Sequence, residues 1–482
     1  MPDNILTLDP ESPLHRTKVA VREMADAQLM DGSNSITISS REAGVLLESL
    51  KRASLSFIAT VENQIPNRAR SLFGVPVPSP EQQIKTVFTH RDFGRTKGNI
   101  LEDAEAMKMV DRALKSDTRE IRLFCTGFPM KVFNPLETNY QGDSVDLGDI
   151  SVLLRFAELA EVLSHFGSQI GKKFSVVIVS DGRMNGGMFK VDPRVCDSYV
   201  AKLNALISQL NISSFVSVQE FFSLLALNEN RRNEYEDLTK KIKASCHEKF
   251  DHLLNLEDLG QSIESALERE DYDYHGSSFG QLFDSTIGSV RYQGIEQLSK
   301  NFGLSFPKAY SMILESILWG QKIEQTKLYE GLLSGLPELT RANILEALRR
   351  ERSATMRIAW HSTIEYFAVL EVNKATKVLD AFFPDGIRIT TRPKKGQIGV
   401  HTSDQNRPTL FSYHSVPVIV PCNKGKYVKV DFQLRFDALR SGYHPVLLNG
   451  TDIICYEHPA VSFLPIEQLP WIRGSNRSST NT

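Results

Sequence analysis

The residues able to do chemistry fall into two groups far apart in the chain. The first follows an apolar run, Glu120–Cys125, where Thr126-Gly127-Phe128-Pro129-Met130-Lys131-Val132-Phe133-Asn134-Pro135 sets one lysine and one asparagine between two prolines. Proline fixes φ and restricts the residue before it, so this loop is stiff. A lysine there can hold an anion, or act as a base if its ammonium is desolvated; on an open surface it would only be solvated. A second apolar run, Phe174–Val179, ends in Ser180-Asp181-Gly182-Arg183. An acid at a strand end followed by glycine can orient a ligand, and equally serves as a turn former or helix cap. The second group comes much later, with Arg388, Arg392, Lys394 and Lys395 in close succession. A guanidinium fork suits a carboxylate or phosphate, and the same charges also suit a solvated hairpin. His414 precedes another apolar run, and a lone histidine there serves structure as readily as proton transfer.

Asp143, Asp146 and Asp149 approach the start of an apolar-periodic stretch. Acids there complement the helix dipole, and a metal role would need ligands from elsewhere. No H-E-x-x-H or G-x-x-x-x-G-K-[ST] pattern occurs. The Gly186-Gly187 pair lacks dinucleotide-binding spacing, which ranks a nucleotide-dependent oxidoreductase last.

The elements that must position these residues can be read from the patterning. Thr118–Val218 reads as strand, helix, strand, helix, strand: Glu120–Cys125, Leu147–Phe166 with apolar residues on one face, Phe174–Val179, a helix from Asp192-Pro193 to about Leu210, and Ile212–Val218. Strands alternating with helices imply a parallel sheet whose ligands sit at the carboxyl ends of the strands. The expected class is α/β, a Rossmann-like parallel sheet with a helical insertion and a C-terminal α+β portion. The expected organisation is a mostly helical extension over 1–115, the βαβαβ core over 116–218, a helical segment over 219–345, a helix and β-hairpin portion completing the site over 346–470, and a disordered tail over 471–482.

Within these regions, helices are expected near Arg16–Leu29 and Ser40–Val61, followed by a Pro-rich break at Gly74–Pro80. Leu253–Tyr274 reads as an acidic, exposed insertion, and the helical stretch Thr340–Phe382 as broken more than once. Ile387–Thr391 and Gln397–His401 read as a hairpin joined through Pro-Lys-Lys-Gly, with further strands at Val416–Pro421 and Tyr427–Arg435.

Composition narrows the class. The chain has 482 residues, 41% apolar and 24% charged, enough for a large core and two or three domains. Its formal net charge of −2 gives no basic field, which argues against nucleic-acid binding. No apolar run approaches the roughly 20 residues that span a bilayer, and no secretory signal is visible, so a cytoplasmic protein without membrane attachment is expected. The five cysteines form no Cys-x-x-Cys pair and read as reduced, buried thiols.

Taken in order, these blocks resemble the isocyanide (isonitrile) synthase family, which includes the pyoverdine/dityrosine biosynthesis proteins. Gly127-Phe128-Pro129-Met130-Lys131 with Asn134-Pro135 resembles its Pro-Phe-Lys…Asn-Pro block, and Asp146-Leu147-Gly148-Asp149 its Asp-x-x-Glu step into a helix. Ser180-Asp181-Gly182-Arg183 resembles its Ser-Asp-Gly-Arg strand end, and Phe383-Pro384 with Ile387–Pro393 its Phe-Pro…Arg-Leu-Ser-Ile-His-Pro block. Tyr413-His414 stands where the family has Trp-His. The resemblance covers Glu120–Leu210 and Ile364–Val420. Met130 replaces the usual Phe, Phe411-Ser412-Tyr413 the usual Thr-Pro-Trp, and Arg392 the usual His; a guanidinium cannot take over proton transfer.

The resemblance implies an enzyme that condenses an amino acid's α-amine with the ketone of ribulose 5-phosphate and leaves one sugar carbon on nitrogen as an isocyanide. It implies Lys131, Asp181 and His414 as catalytic residues, and Asn134, Arg183, Arg388 and Arg392 as substrate- and phosphate-binding residues. It demands no metal or organic cofactor. Its expected partners are the amino acid, the pentose phosphate and tailoring enzymes of the same pathway. The alternatives are an N-formyl amino acid product on the same scaffold, or a non-catalytic small-molecule-binding protein.

Overall fold

The computed structural model describes residues 35–95, 100–128, 130–131, 143–184, 191–250, 301–303, 309, 312, 333, 336–391, 393, 396–402, 415–422, 426–461 and 468–471. In chain order the elements are β1 (Ile36–Ile38), α1 (Ser40–Phe73), α2 (Pro80–Val87), α3 (Ala104–Lys115), β2 (Glu120–Gly127), α4 (Leu147–Gly167), β3 (Lys173–Ser180), α5 (Pro193–Leu210), β4 (Val216–Glu220), α6 (Phe221–Ala226), α7 (Glu229–Phe250), α8 (Glu338–Thr376), α9 (Val378–Phe382), β5 (Ile387–Thr390), β6 (Ile398–Gly399), β7 (Val416–Cys422), β8 (Tyr427–Gln433), α10 (Arg435–Arg440), β9 (His444–Leu448) and β10 (Asp452–Glu457). The expected α/β class is borne out.

Two five-stranded sheets organise the chain. One is parallel, ordered β4-β3-β2-β5-β6. Phe174, Val176, Val177, Ile178 and Val179 of β3 are all buried, as a strand covered on both faces requires. The other is mixed, ordered β1-β9-β10-β7-β8. Helix α4 lies between them, touching β3 of the first and β7, β8 and β10 of the second. The sequence suggests one apolar stripe on α4. Instead almost every side is buried, because helices α1 and α2 cover what the sheets leave.

Helix α1 follows from its own code. Ser39 and Glu42 form a capping box, buried residues from Leu46 to Ala69 recur at helical spacing, and Gly74 ends it in a left-handed conformation. It runs past the expected end at Val61 and carries Pro66 inside. The Asp192 cap with Pro193 at the first helical position forms as expected, its carboxylate accepting the Arg194 N–H at 2.9 Å.

Several expectations need correction. Ile212 does not begin a strand: Asn211 caps α5 in a left-handed conformation, and the Phe215 N–H turns back to the Ile212 carbonyl, so Ile212 packs from a turn and β4 starts at Val216. The expected hairpin of β5 and β6 is a parallel pair, with Ile389 opposite Ile398. Its outer edge is held by the segment before α3, where the Arg95 N–H donates to the Gly399 carbonyl at 2.9 Å and the His401 N–H to the Phe93 carbonyl at 2.8 Å. Helix α8 is continuous through Thr376 and breaks once, at Lys377, whose φ is 44°. Strands β1, β9 and β10 and helix α10 carry no strong pattern and were not expected.

The helix expected at Arg16–Leu29, the acidic stretch Leu253–Tyr274 and the tail from 472 lie outside the described residues. None of the five cysteines is in a disulfide, and all but Cys422 are buried. Among the described residues, no helix is long and apolar enough to cross a membrane.

Candidate active site

The carboxyl ends of β2, β3 and β4 lie side by side, Gly127 opposite Ser180 and Ser180 opposite Glu220. Leaving β2, the chain turns at Phe128, whose φ of 53° is costly for a bulky residue. The Ser180 hydroxyl secures the turn by donating to the Phe128 carbonyl at 2.9 Å. The turn carries Met130 and Lys131 into the interior, and both are buried.

Lys131 ends against the start of α4. Its Nζ lies 3.0 Å from Asp146 Oδ2, 3.1 Å from Asp149 Oδ2 and 3.2 Å from Asp149 Oδ1. The two carboxylates are fixed by a reciprocal cap. Asp146 Oδ1 accepts the N–H groups of Gly148 and Asp149 at 2.9 and 3.3 Å, and Asp149 Oδ2 accepts the Asp146 N–H at 3.1 Å. The Tyr199 hydroxyl of α5 donates to Asp149 Oδ1 at 2.8 Å.

Burial alone would push the Lys131 ammonium down, but the two carboxylates outweigh it and hold it above the usual lysine value. Burial pushes the Asp146 carboxyl up; Lys131 opposes this, Asp149 adds to it, and the result is about 7. This cluster therefore holds a charged lysine beside a carboxyl that burial keeps above the usual carboxylate range. Asp143 is engaged by α5, accepting from Ser198 Oγ at 2.7 Å and Lys202 Nζ at 2.9 Å. No group of three or more His, Cys, Asp or Glu among the described residues could hold a metal ion.

The expected site residues divide. Lys131 and Asp181 stand at the same strand-end edge, and the Cys125 thiol at the end of β2 is pushed up to about 12 by burial and then by Asp181. Arg183 is there too, in a two-pronged pair with Asp197 at 2.6 Å for each bond. Arg388 is not brought to this edge. It lies opposite Phe124 on β2, three residues short of the strand end, exposed, with Asp380 3.9 Å away. Asn134, Arg392, Lys394, Lys395 and His414 lie outside the described residues. Two residues that patterning did not single out are Tyr199, on the inward face of α5, and Glu220, at the end of β4.

A second buried charge cluster lies on the far side of α4. Arg155 and Glu158 are fully buried, 3.4 Å apart, with Ser54 Oγ donating to Glu158 Oε1 at 2.6 Å and the guanidinium 4.8 Å from the Phe57 ring centroid. It ties α1 to α4 and presents no strand end.

Comparison with known proteins was consistent with the motifs. Residues 112–277 match the sequence model of the family described as pyoverdine/dityrosine biosynthesis protein. The resemblance is thus borne out over the segment that carries Lys131, Asp146, Asp149, Asp181 and Glu220. No curated protein matches the chain. Among solved structures, the crystal structure of the PvcA protein from Pseudomonas aeruginosa aligns over 79% of this chain and 100% of that chain, at 14% identity and a TM-score of 0.40. That likeness is too loose to place any residue of the site.

Proposed function

We propose that this chain is an isonitrile synthase-like enzyme, which joins the α-amine of an amino acid to the ketone of ribulose 5-phosphate and leaves one sugar carbon on nitrogen as an isocyanide. The observation that supports it is the buried Lys131–Asp146–Asp149 cluster at the carboxyl edge of a parallel sheet, inside the segment that matches the family.

Imine formation and the later carbon–carbon cleavages need protons delivered and removed away from bulk water. In this reading Asp146 exchanges the proton and Lys131 supplies the positive charge that keeps a neighbouring oxyanion stable. Asp181 orients the reacting groups. His414 and Asn134 take the roles that the motifs imply for them. Phosphate falls to Arg183 and Arg392. The Arg183–Asp197 pair is largely exposed, and such pairs open at a cost of about 1 kcal/mol or less. Arg388, at its observed place, reaches Asp380 instead.

The test is incubation of the purified protein with ribulose 5-phosphate and each standard amino acid in turn. The expected product shows the isocyanide infrared band, and its mass is one water below that of the formamide. A formamide formed without prior isocyanide would move the outcome to N-formylation. Absence of both across all amino acids would refute the reading.

A further inference from the structure

A buried carboxylate with an unfilled oxygen stands at the same strand-end edge. Glu220 closes β4 opposite Ser180 and is 9% exposed. Its Oε2 caps α6, accepting the Ser223 N–H at 2.9 Å and the Ser223 hydroxyl at 3.3 Å. Its Oε1 is buried and has no hydrogen-bond partner. A carboxylate oxygen removed from water without a donor is costly, and a shorter Ser, Asp or Asn would cap the helix without it.

The described cations at this strand-end edge are engaged by other acids. Lys131 contacts Asp146 and Asp149, and Arg183 is paired to Asp197. Glu220 is near enough to Arg183 to help hold that guanidinium above its usual value, though after Asp197. The edge thus presents an acceptor that suits a cation brought from outside.

We propose that Glu220 Oε1 receives the α-ammonium of the amino-acid substrate. This rests on the condensation reading for the identity of the ligand. A primary ammonium brings three N–H donors and a full charge, which satisfies a buried carboxylate oxygen as water does not. Glu220 is a binding residue here, and it selects amines over the corresponding neutral or des-amino acids.

The test is calorimetric titration of the full-length protein with each standard amino acid, and with the matching des-amino carboxylic acid for any that binds. The amino acid should bind about a hundredfold more tightly than its des-amino counterpart, and Glu220→Gln should abolish the difference. Glutamine keeps a carbonyl oxygen for the Ser223 cap and places an NH2 donor where Oε1 stood, so the thermal midpoint should stay within about 3 °C. Four results would each overturn the proposal. They are equal binding of the two acids by the wild-type protein, a preference that persists in Glu220→Gln, no amino-acid binding at millimolar concentration, or collapse of the variant's thermal midpoint. Failure of the condensation reading looks different. It would appear as amine binding that depends on Glu220, with neither isocyanide nor formamide formed from ribulose 5-phosphate.

Discussion

Gly148 lies directly beneath the Phe432 ring: a Cβ built on it would stand 2.6 Å from Phe432 Cε1 and 3.0 Å from Asp146 Oδ1. Here the first turn of α4 meets the mixed sheet, two residues from Asp146 and one from Asp149, the carboxylates that hold Lys131. The absent side chain lets β8 close over the cluster. Gly148→Ala should therefore cost about 1–3 kcal/mol by forcing the buried ring aside. Urea unfolding measures this, and an unchanged midpoint would mean that the ring moves freely.

Lys131→Met should cost more. It leaves Asp146 and Asp149 facing each other in the interior, and breaking a buried ion pair from one side typically costs about 3–5 kcal/mol. Without the ammonium the Asp146 carboxyl rises further, so stability is retained at low pH and lost as pH rises. The destabilisation should be larger at pH 8 than at pH 5. Adding Asp149→Asn to the variant should recover part of the loss. Additive effects of the two changes would show that the groups do not interact.

His90 sets a separate acid limit. Burial, then Arg68, Arg91 and Arg155, pushes its imidazole down to about 4. Asp92 Oδ2 lies 3.5 Å from Nδ1, but the Asp92 N–H points at that same nitrogen from 3.4 Å, which makes Nδ1 an acceptor on a neutral ring. A histidine with a depressed folded value contributes stability that is present above its unfolded value of 6.5 and is lost as pH falls through 4. Between pH 7 and 4 the wild-type protein should lose about 3 kcal/mol more than His90→Gln, as read by denaturant unfolding at each pH.

Gly399→Ala should be among the most damaging small substitutions. A Cβ there would fall 1.6 Å from the Arg95 carbonyl oxygen, which is backbone and cannot swing away. A loss of about 4 kcal/mol or more is expected. Gly44→Ala is the control: nothing lies within 4 Å, and in helix α1 the change should stabilise by about 0.5–1 kcal/mol. Equal thermal midpoints for the two variants would refute the close-approach argument.

How much could be read from sequence depended on how local each signal was. Strands β2 and β3, the Asp192-Pro193 start of α5 and the acidic entry to α4 announce themselves through continuous apolar runs and capping residues. The direction of β6 does not, because alternation is the same in parallel and antiparallel pairs and the deciding bonds come from Phe93 and Arg95. The aspartates before α4 were legible as helix-start residues. Their grip on Lys131 was not, since it depends on the turn at Phe128. Tyr199 carries no signal in the sequence beyond that of an aromatic within an amphipathic helix. Arg388 looked like a ligand-binding fork because its motif neighbours suggested it, but strand register places it part-way down β5 rather than at the tip.

The pairing of β1 with β9 sets a timetable for the nascent protein. Ile36 lies opposite Val446, about 410 residues further along. At roughly 5–20 residues per second, translation leaves the amino-terminal strand waiting on the order of 20–80 s for its neighbour to be made. The mixed sheet can therefore close only after Leu448 has left the ribosome, and any premature stop upstream of His444 leaves Ile36–Ile38 as an unsheltered sticky edge.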